Sequence, residues 1–538
     1  MTKIIGLHGK FNGNLFDFFL KSLENKDNNI NSNQNISKGI FLSSEDITIF
    51  NNKFCNIDLP ETKDNFYNIG LISLDSNTNC FQPIKYKEFI LIFNGVIYNT
   101  EEINSKLLNT NDLEEDYSVF LIKLLYKFYK ETKNLKEATE KTNNLLNGDY
   151  VFAIFDANNL AISRDSIGIK PLYYNKSISK NFRVFASEKK YLWKMGINNK
   201  DIDTLKPGHI LYNWEKVSPK SNPWDLALSS FDTNASYDEI KSNLLKLIEN
   251  SIYNRIKGLN NIGLLFSAGV DSTIIATLLK KYQENNEINI TLYTVGVKDS
   301  KDLKYSKKIA KKLNLPIKTM IINEEIVRNN LNNIVEIIEE ANLMKIGVGM
   351  TLYLATKLAA KDNISVVISG QGADELFAGY HRYQNKLNEK GPVELQKDLC
   401  SDIENSYKVN LERDTKVAEA NGVQIRIPFF DEKLVNYSLN IPIKYKIKLQ
   451  NNTNNNTNNN INNNNINNNN IENNEDNLRK RILRDLAIDI GVPEEIAFRP
   501  KKAAQYGSGI DKILRKKILK TTGIESILID IIDKYSNN

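Results

Sequence analysis

Cysteine and histidine are scarce in this chain. Only Cys55, Cys80 and Cys400 occur in 538 residues, without the paired spacing of a metal site or a disulfide framework, so a reduced, cytoplasmic chain is expected. Three histidines, His8, His209 and His381, leave little room for a histidine-based metal centre. No apolar run approaches membrane-spanning length, and the opening MTKIIGLHGKF lacks a signal-peptide layout, so no membrane partner is expected. An excess of one charge is missing as well. A net charge of +6, with lysines scattered and no basic stripe, gives nucleic-acid binding no footing. What is present is length, enough for two domains with separate cores.

Residues 1–215 alternate short strand-like runs with polar turns and end near Lys206-Pro207-Gly208-His209, which reads as a first domain. Residues 216–236 are rich in Ser, Pro and Asn and read as a linker. From 237 to 538 helices and buried strands alternate, the pattern of a parallel sheet with helices on both faces. Strands are expected over 288–297, 316–322 and 364–370, with a helix at 302–313 and two more through 361. The Asn-rich stretch 450–474 cannot bury enough apolar surface to offset its ordering entropy, so it is expected to be a disordered insertion. Helical periodicity resumes at 477–490, which puts the insertion inside the domain. A smaller Asn-rich stretch, 25–36, reads as a surface loop.

The chemistry concentrates in two strand–turn–helix units. In the first, the apolar run 261–266 feeds Ser267-Ala268-Gly269-Val270-Asp271-Ser272 and then a helical pattern over 273–283. Such a turn presents unpaired backbone N–H groups and a helix dipole to an anion. Ser267 and Ser272 add hydroxyl donors, and Gly269 permits close backbone approach. A carboxylate at Asp271 beside phosphates is tolerable mainly when Mg2+ lies between them. An ordinary βα turn is the plainer alternative, because Ser, Gly and Asp all form turns. In the second unit, a strand at 364–368 ends in Ser369, Gly370, Gln371 and Gly372 and opens a helix carrying Asp374 and Glu375. Both turns should share the crevice beyond the carboxyl ends of a parallel sheet, with Asp271 and Asp374 facing one metal ion. Asp374 and Glu375 also suit a helix N-terminus as dipole partners.

SAGVDS resembles the SGGxDS loop of the N-type ATP pyrophosphatases. SGQGADELFAGY (369–380) and GVQIRIPFFDEKLV (422–435) resemble the synthetase domain of asparagine synthetases. FNGVIYN (93–99) and GDYVFAIFDANNLAISRDSIGIKPLYY (148–174) are similar to the glutaminase domain of the same enzymes. The resemblance covers nearly the whole chain in the correct order. RPKKAAQYGSG (499–509) and LERDTKVAEANGVQIR (411–426) look closest to the divergent branch of asparagine synthetase domain-containing proteins. The fold implied is an α+β, N-terminal nucleophile-type β-sandwich followed by a doubly wound α/β domain of the PP-loop ATP pyrophosphatase kind.

The resemblance implies an ATP- and Mg2+-dependent, amide-forming ligase acting on small molecules: ATP, aspartate and ammonia. A homodimer is left open. Ser267, Gly269, Asp271, Ser272, Ser369 and Gly370 would hold the phosphates, with Asp271 and Asp374 on the metal. Val295 and Gly296 match the adenine and ribose segment, and Lys480 matches a lysine that reaches the phosphates late in the reaction. A solvated helix lysine beside Arg479 and Arg481 is the alternative for Lys480. Departures from the family pattern matter too. Ala268 replaces a glycine and is tolerable only with φ below zero. Gln371 replaces a glutamate positioned to take a proton from ammonia; an amide orients a nucleophile but is no base. Residues 342–351 do not match the aspartate-gripping loop.

The first domain departs further. The family's nucleophile is an N-terminal cysteine, and here Thr2 stands at that place. An arginine segment expected within 30–60 is missing, and Val96 replaces a glutamate. Asn94 and Gly95 match the oxyanion contributors, and Asp116 is either an amine-facing carboxylate or a solvated residue. A degenerate glutaminase with ammonia-dependent synthesis is therefore expected. A protein-binding scaffold, or adenylation of another carboxylic acid, is the alternative.

Overall fold

Two antiparallel sheets face each other in the first domain through apolar residues supplied by alternate strand positions. The structure is a computed structural model and describes residues 2–12, 37–43, 48–51, 66–75, 82–108, 116–177, 181–219, 235–448, 479–500, 504–519 and 523–536. The insertion 450–474, the 25–36 loop, most of the linker 216–236, Cys55 and Cys80 lie outside the described residues. One sheet has seven strands, with Lys3–Asn12 between Phe182–Ala186 and Phe66–Asp75; the other has six, centred on Phe89–Ile97, Gly148–Phe155 and Leu160–Arg164. Strand Phe89–Ile97 displays the period of two. Ile90 and Ile92 join Ile4, Ile69, Leu71 and Phe185 between the sheets. Phe89, Leu91 and Phe93 face outward against Phe120, Leu121, Leu124 and Leu125 of helix Tyr117–Thr132. The final hairpin pairs Ile210 with Val217, so the domain's strands run two residues into the expected linker.

The second domain is built on a five-stranded parallel sheet in the order Ile317–Ile322, Asn289–Val297, Asn261–Leu265, Val366–Ile368, Gln424–Arg426. The first strand in sequence is central. Successive strands add to one side of it, and then the order reverses to the other side. The reversal falls between Asn261–Leu265 and Val366–Ile368, the strands that lead into the two turns. A crevice opens where crossover helices leave in opposite directions. The strand expected from 364 begins at Val366, because Ile364 N donates back to Ala359 O (3.1 Å) and closes the preceding helix. That helix, Leu343–Lys361, corrects another expectation: by length and composition it is apolar enough to cross a membrane. Here Ile346, Met350 and Leu354 join the core that contains Ile5, Leu7 and Ile72 of the first domain.

Besides that shared core, buried charges join the domains. Helix Glu412–Glu419 is buried at all eight residues. Glu412 meets Arg164 at 3.2 Å and accepts from the Tyr173 hydroxyl at 2.9 Å. Glu419 takes both Lys170 and Lys3 at 2.5 Å. Lys416 pairs with Glu339, which also accepts from Lys189 N and Lys190 N. Charges this deep persist only as pairs. Much of the 164–174 and 411–426 motifs therefore serves docking.

Candidate active site

Helix Val270–Gln283 begins at Gly269 with no side chain capping its first turn. Its leading N–H groups and dipole are thus directed at whatever occupies the turn. Ser267 Oγ and Ser272 Oγ lie 3.4 Å apart at its mouth. The carbonyls of the turn are engaged elsewhere: Thr294 Oγ1 and Ser306 Oγ donate to Phe266 O, and Arg499 donates to Ser267 O (2.9 Å) and Ala268 O (3.0 Å). Engaged carbonyls repel an anion less. Ala268 contradicts its expectation, adopting φ +54° while fully buried. The left-handed turn demands this dihedral, so the alanine methyl is strained where glycine would not be.

The second turn packs directly on the first. A Cβ on Gly370 would lie 3.2 Å from Ser272 N and 3.4 Å from Asp271 Cβ. Gln371 N donates to Ser369 Oγ (3.3 Å), and Gly372, at φ +100°, starts the short helix Ala373–Leu376. Asp271 and Asp374 come together around Lys480. Its ammonium lies 2.7 Å from each Asp271 carboxylate oxygen and 2.8 Å from Asp374 Oδ1. Burial opposes that charge, but the two carboxylates outweigh it and hold the Lys480 pKa above the usual lysine value. Two carboxylates beside an anion-receiving turn suit Mg2+, which favours one or two protein carboxylates plus phosphate oxygens. Among the described residues, no group of three or more His, Cys, Asp or Glu forms a cage.

Lys480 is neither solvated nor helical. It is 2% exposed and sits at φ +54° before helix Arg481–Asp489. Neighbours fix its base: Arg484 donates to Arg479 O (2.8 Å), and Arg479 donates to Gly379 O (3.0 Å). Gly379 has no room for a side chain, since a Cβ would stand 2.0 Å from Asp374 Oδ1 and 2.3 Å from Lys480 Cε. Burial lowers the Arg484 pKa to about 10 despite the nearby Asp271 and Asp374. Val295 and Gly296 occupy the end of strand Asn289–Val297. Segment 504–509 lies against them, with Val297 N donating to Ser508 O (2.8 Å). Sequence reasoning missed Arg484, Arg499 and Gly379 as parts of the site. Arg499 lay in a recognised motif, but an arginine that clamps carbonyls leaves no spacing signature.

In the first domain Asn94, Gly95 and Val96 follow one another on strand Phe89–Ile97, and the rings of Phe93 and Tyr117 (6.5 Å between centroids) bring the Asp116 end of its helix beside that strand. Thr2 enters strand Lys3–Asn12, and Lys3 is held by Glu188 (2.8 Å) and Glu419 (2.5 Å). Asn94 is buried, and its amide nitrogen has no hydrogen-bond partner among the described residues. Gly95, at φ +153°, has no space for a Cβ, which would meet Asp149 O at 2.2 Å. Val96 is buried on the strand opposite Asp149. Asp116 caps helix Tyr117–Thr132, accepting from Ser118 N at 2.8 Å, so its carboxylate is used locally. Tyr98 hydrogen-bonds Asp149 (2.6 Å) and lies under the guanidinium of Arg255, 4.5 Å from its ring, at the domain interface.

An antiparallel β-sandwich joined to a parallel-sheet α/β domain is the class this fold defines. The asparagine synthase family matches residues 243–394 and 388–522, and the glutamine amidotransferase domain family matches 71–194. A Methanocaldococcus jannaschii protein, provisionally named as a glutamine-hydrolyzing asparagine synthetase, is 37% identical over 512 residues, 89% of each chain. The chain belongs to the asparagine synthetase family. It is also similar to the glutamine-hydrolyzing asparagine synthetases of Gallus gallus (26% identical, 84% of this chain, 77% of that one) and Homo sapiens (25%, 80% and 74%).

Proposed function

We propose that this chain is an ATP- and Mg2+-dependent ligase that adenylates the side-chain carboxylate of aspartate and aminates it with free ammonia. Support comes from one arrangement: the SAGVDS turn, Asp271, Asp374 and Lys480 converge at the reversal point of the parallel sheet. Aspartate attacks the α-phosphate, pyrophosphate departs, and ammonia then displaces AMP to give the amide. Ser267, Ser272 and the N-terminus of helix Val270–Gln283 receive the pyrophosphate. Asp271 and Asp374 would hold Mg2+, which would supply charge neutralisation at the phosphate oxygens. Lys480 adds positive charge to the departing group. Gln371 orients ammonia without taking its proton. Ammonia rather than glutamine as the nitrogen source is supported by Thr2 at the entry of the first strand and by Val96. A threonine hydroxyl is a much weaker nucleophile than a thiolate near neutral pH.

The test is pyrophosphate release by purified protein with ATP, Mg2+ and aspartate, supplied with either ammonium or glutamine. Release with ammonium and not with glutamine supports the proposal. Glutamine-dependent asparagine formation overturns the ammonia clause.

Adenylation of a different acid is a second reading with its own observation. Lys345, the one cation within 342–351, is engaged by Glu340 (2.5 Å) and Lys408 O (2.6 Å). That segment therefore lacks a ready partner for the α-carboxylate of aspartate. Turnover with another carboxylic acid favours this reading, and no turnover with any acid favours a binding scaffold.

A further inference from the structure

Lys480 stands where a metal ion shared by Asp271 and Asp374 would have to stand. Its ammonium contacts three carboxylate oxygens from both residues, at 2.7, 2.7 and 2.8 Å. Mg2+ binds carboxylate oxygens at about 2.0–2.1 Å. Both cations thus claim the same wedge between the two turns. Their mutual repulsion forbids sharing it. The lysine is also mounted for movement of its tip alone. Its backbone carbonyl accepts from Arg484 N (2.9 Å) and the preceding Arg479 is held to Gly379 O and Arg484, while its flexible stem crosses Gly379, where no side chain obstructs it.

We propose that Lys480 is a displaceable stand-in for the metal: its ammonium occupies the carboxylates in the nucleotide-free protein, and entry of Mg2+ with ATP expels it toward the phosphates. This rests on the magnesium reading of Asp271 and Asp374 given above. A purely structural ion triad would keep Lys480 in place, so that nucleotide would raise the metal affinity of wild type no more than that of Lys480→Gln. A displaceable lysine does two things. It keeps the carboxylates closed to divalent ions that arrive without nucleotide. It also ties delivery of the lysine's charge to the arrival of the phosphates that need it.

The test is direct binding of Mn2+ to the full-length protein, read from the electron paramagnetic resonance signal of free Mn2+. Wild type, Lys480→Gln and Lys480→Arg are compared with and without the non-cleavable analogue α,β-methylene-ATP. Without nucleotide, Lys480→Gln is expected to bind Mn2+ on the order of tenfold more tightly than wild type, the scale of ordinary coupling between sites. With the analogue, wild type should gain far more affinity for Mn2+ than Lys480→Gln does. Equal nucleotide-free affinity in both proteins overturns the inference and leaves the metal reading standing. Failure of wild type to bind Mn2+ even with the analogue removes the metal reading, and the inference with it. Should Lys480→Gln not fold, Lys480→Arg decides. A bidentate guanidinium holds the carboxylates more firmly and should weaken analogue-dependent Mn2+ binding; unchanged binding overturns the inference.

Discussion

The two ends of this molecule carry family motifs in different chemical condition. In the parallel-sheet domain, Asp271 and Asp374, contributed by separate turns, and Lys480, more than a hundred residues beyond them in sequence, meet within hydrogen-bonding distance. In the sandwich, strand Phe89–Ile97 keeps a buried Asn94 and a glycine conformation at Gly95 that no side chain tolerates. Yet Thr2 and Val96 bring no thiol and no carboxylate, and Asp116 is spent on capping a helix. Backbone geometry and reactive groups are thus separable. Packing constrains the former on all sides, whereas a nucleophile is one side chain with few structural obligations.

The largest effect should come from breaking the assembled end. Asp271→Asn is expected to lower ATP-dependent pyrophosphate release by on the order of a hundredfold to a thousandfold, the scale of removing one preorganised electrostatic group. Circular dichroism should show the fold intact. A variant that kept its activity would erase the contrast between the two ends.

The interface that joins them is the next place to press. Glu419→Gln removes the charge opposite Lys3 and Lys170, and uncompensated buried charges cost about 3–5 kcal/mol. Urea unfolding would measure the loss. Burial favours the neutral form of Glu419, but Lys170 and Lys3 overcome it and hold the carboxyl down at about 2 against an ordinary 4.5. A depressed carboxyl stabilises fully above its unfolded value and loses that contribution as pH falls toward its folded one. The stability gap between wild type and variant should therefore be flat above pH 4.5 and close between 4.5 and about 2.

Two domains and two loaded turns were legible because each leaves a periodic or compositional trace. Strand runs alternate with helical spacing, and glycine and serine punctuate the turns. Much of the rest was not legible. The αL backbone of Lys480, at the entry to helix Arg481–Asp489, is encoded by no local pattern. Arg484 and Arg499 act on carbonyl oxygens, and any sequence supplies those. Helix Glu412–Glu419 is dense in charged side chains, and only its partners across the interface make its burial intelligible.

A smaller effect tests whether the assembled end is at its stability optimum. Ala268 holds φ +54° at a position where glycine is unstrained. Ala268→Gly should relieve about 1 kcal/mol of left-handed strain, partly offset by the unfolded-state entropy of glycine. A modest rise in melting temperature would register the gain, and a fall would show that the methyl packs better than the dihedral suggests.

The smallest effect belongs to the other end. Thr2→Ala should leave ammonium-dependent pyrophosphate release unchanged within about twofold, as for substitutions that touch no essential packing or charge. The residue beside it reaches across the interface: Lys3 pairs with Glu188 and Glu419, so the first strand is tied to the second domain through position 3. A pronounced loss in Thr2→Ala would mean that the strand's entry acts on the distant turns through that ion pair. Unaltered rates, with Glu419→Gln impairing stability, would assign the sandwich end to docking and the parallel-sheet end to chemistry.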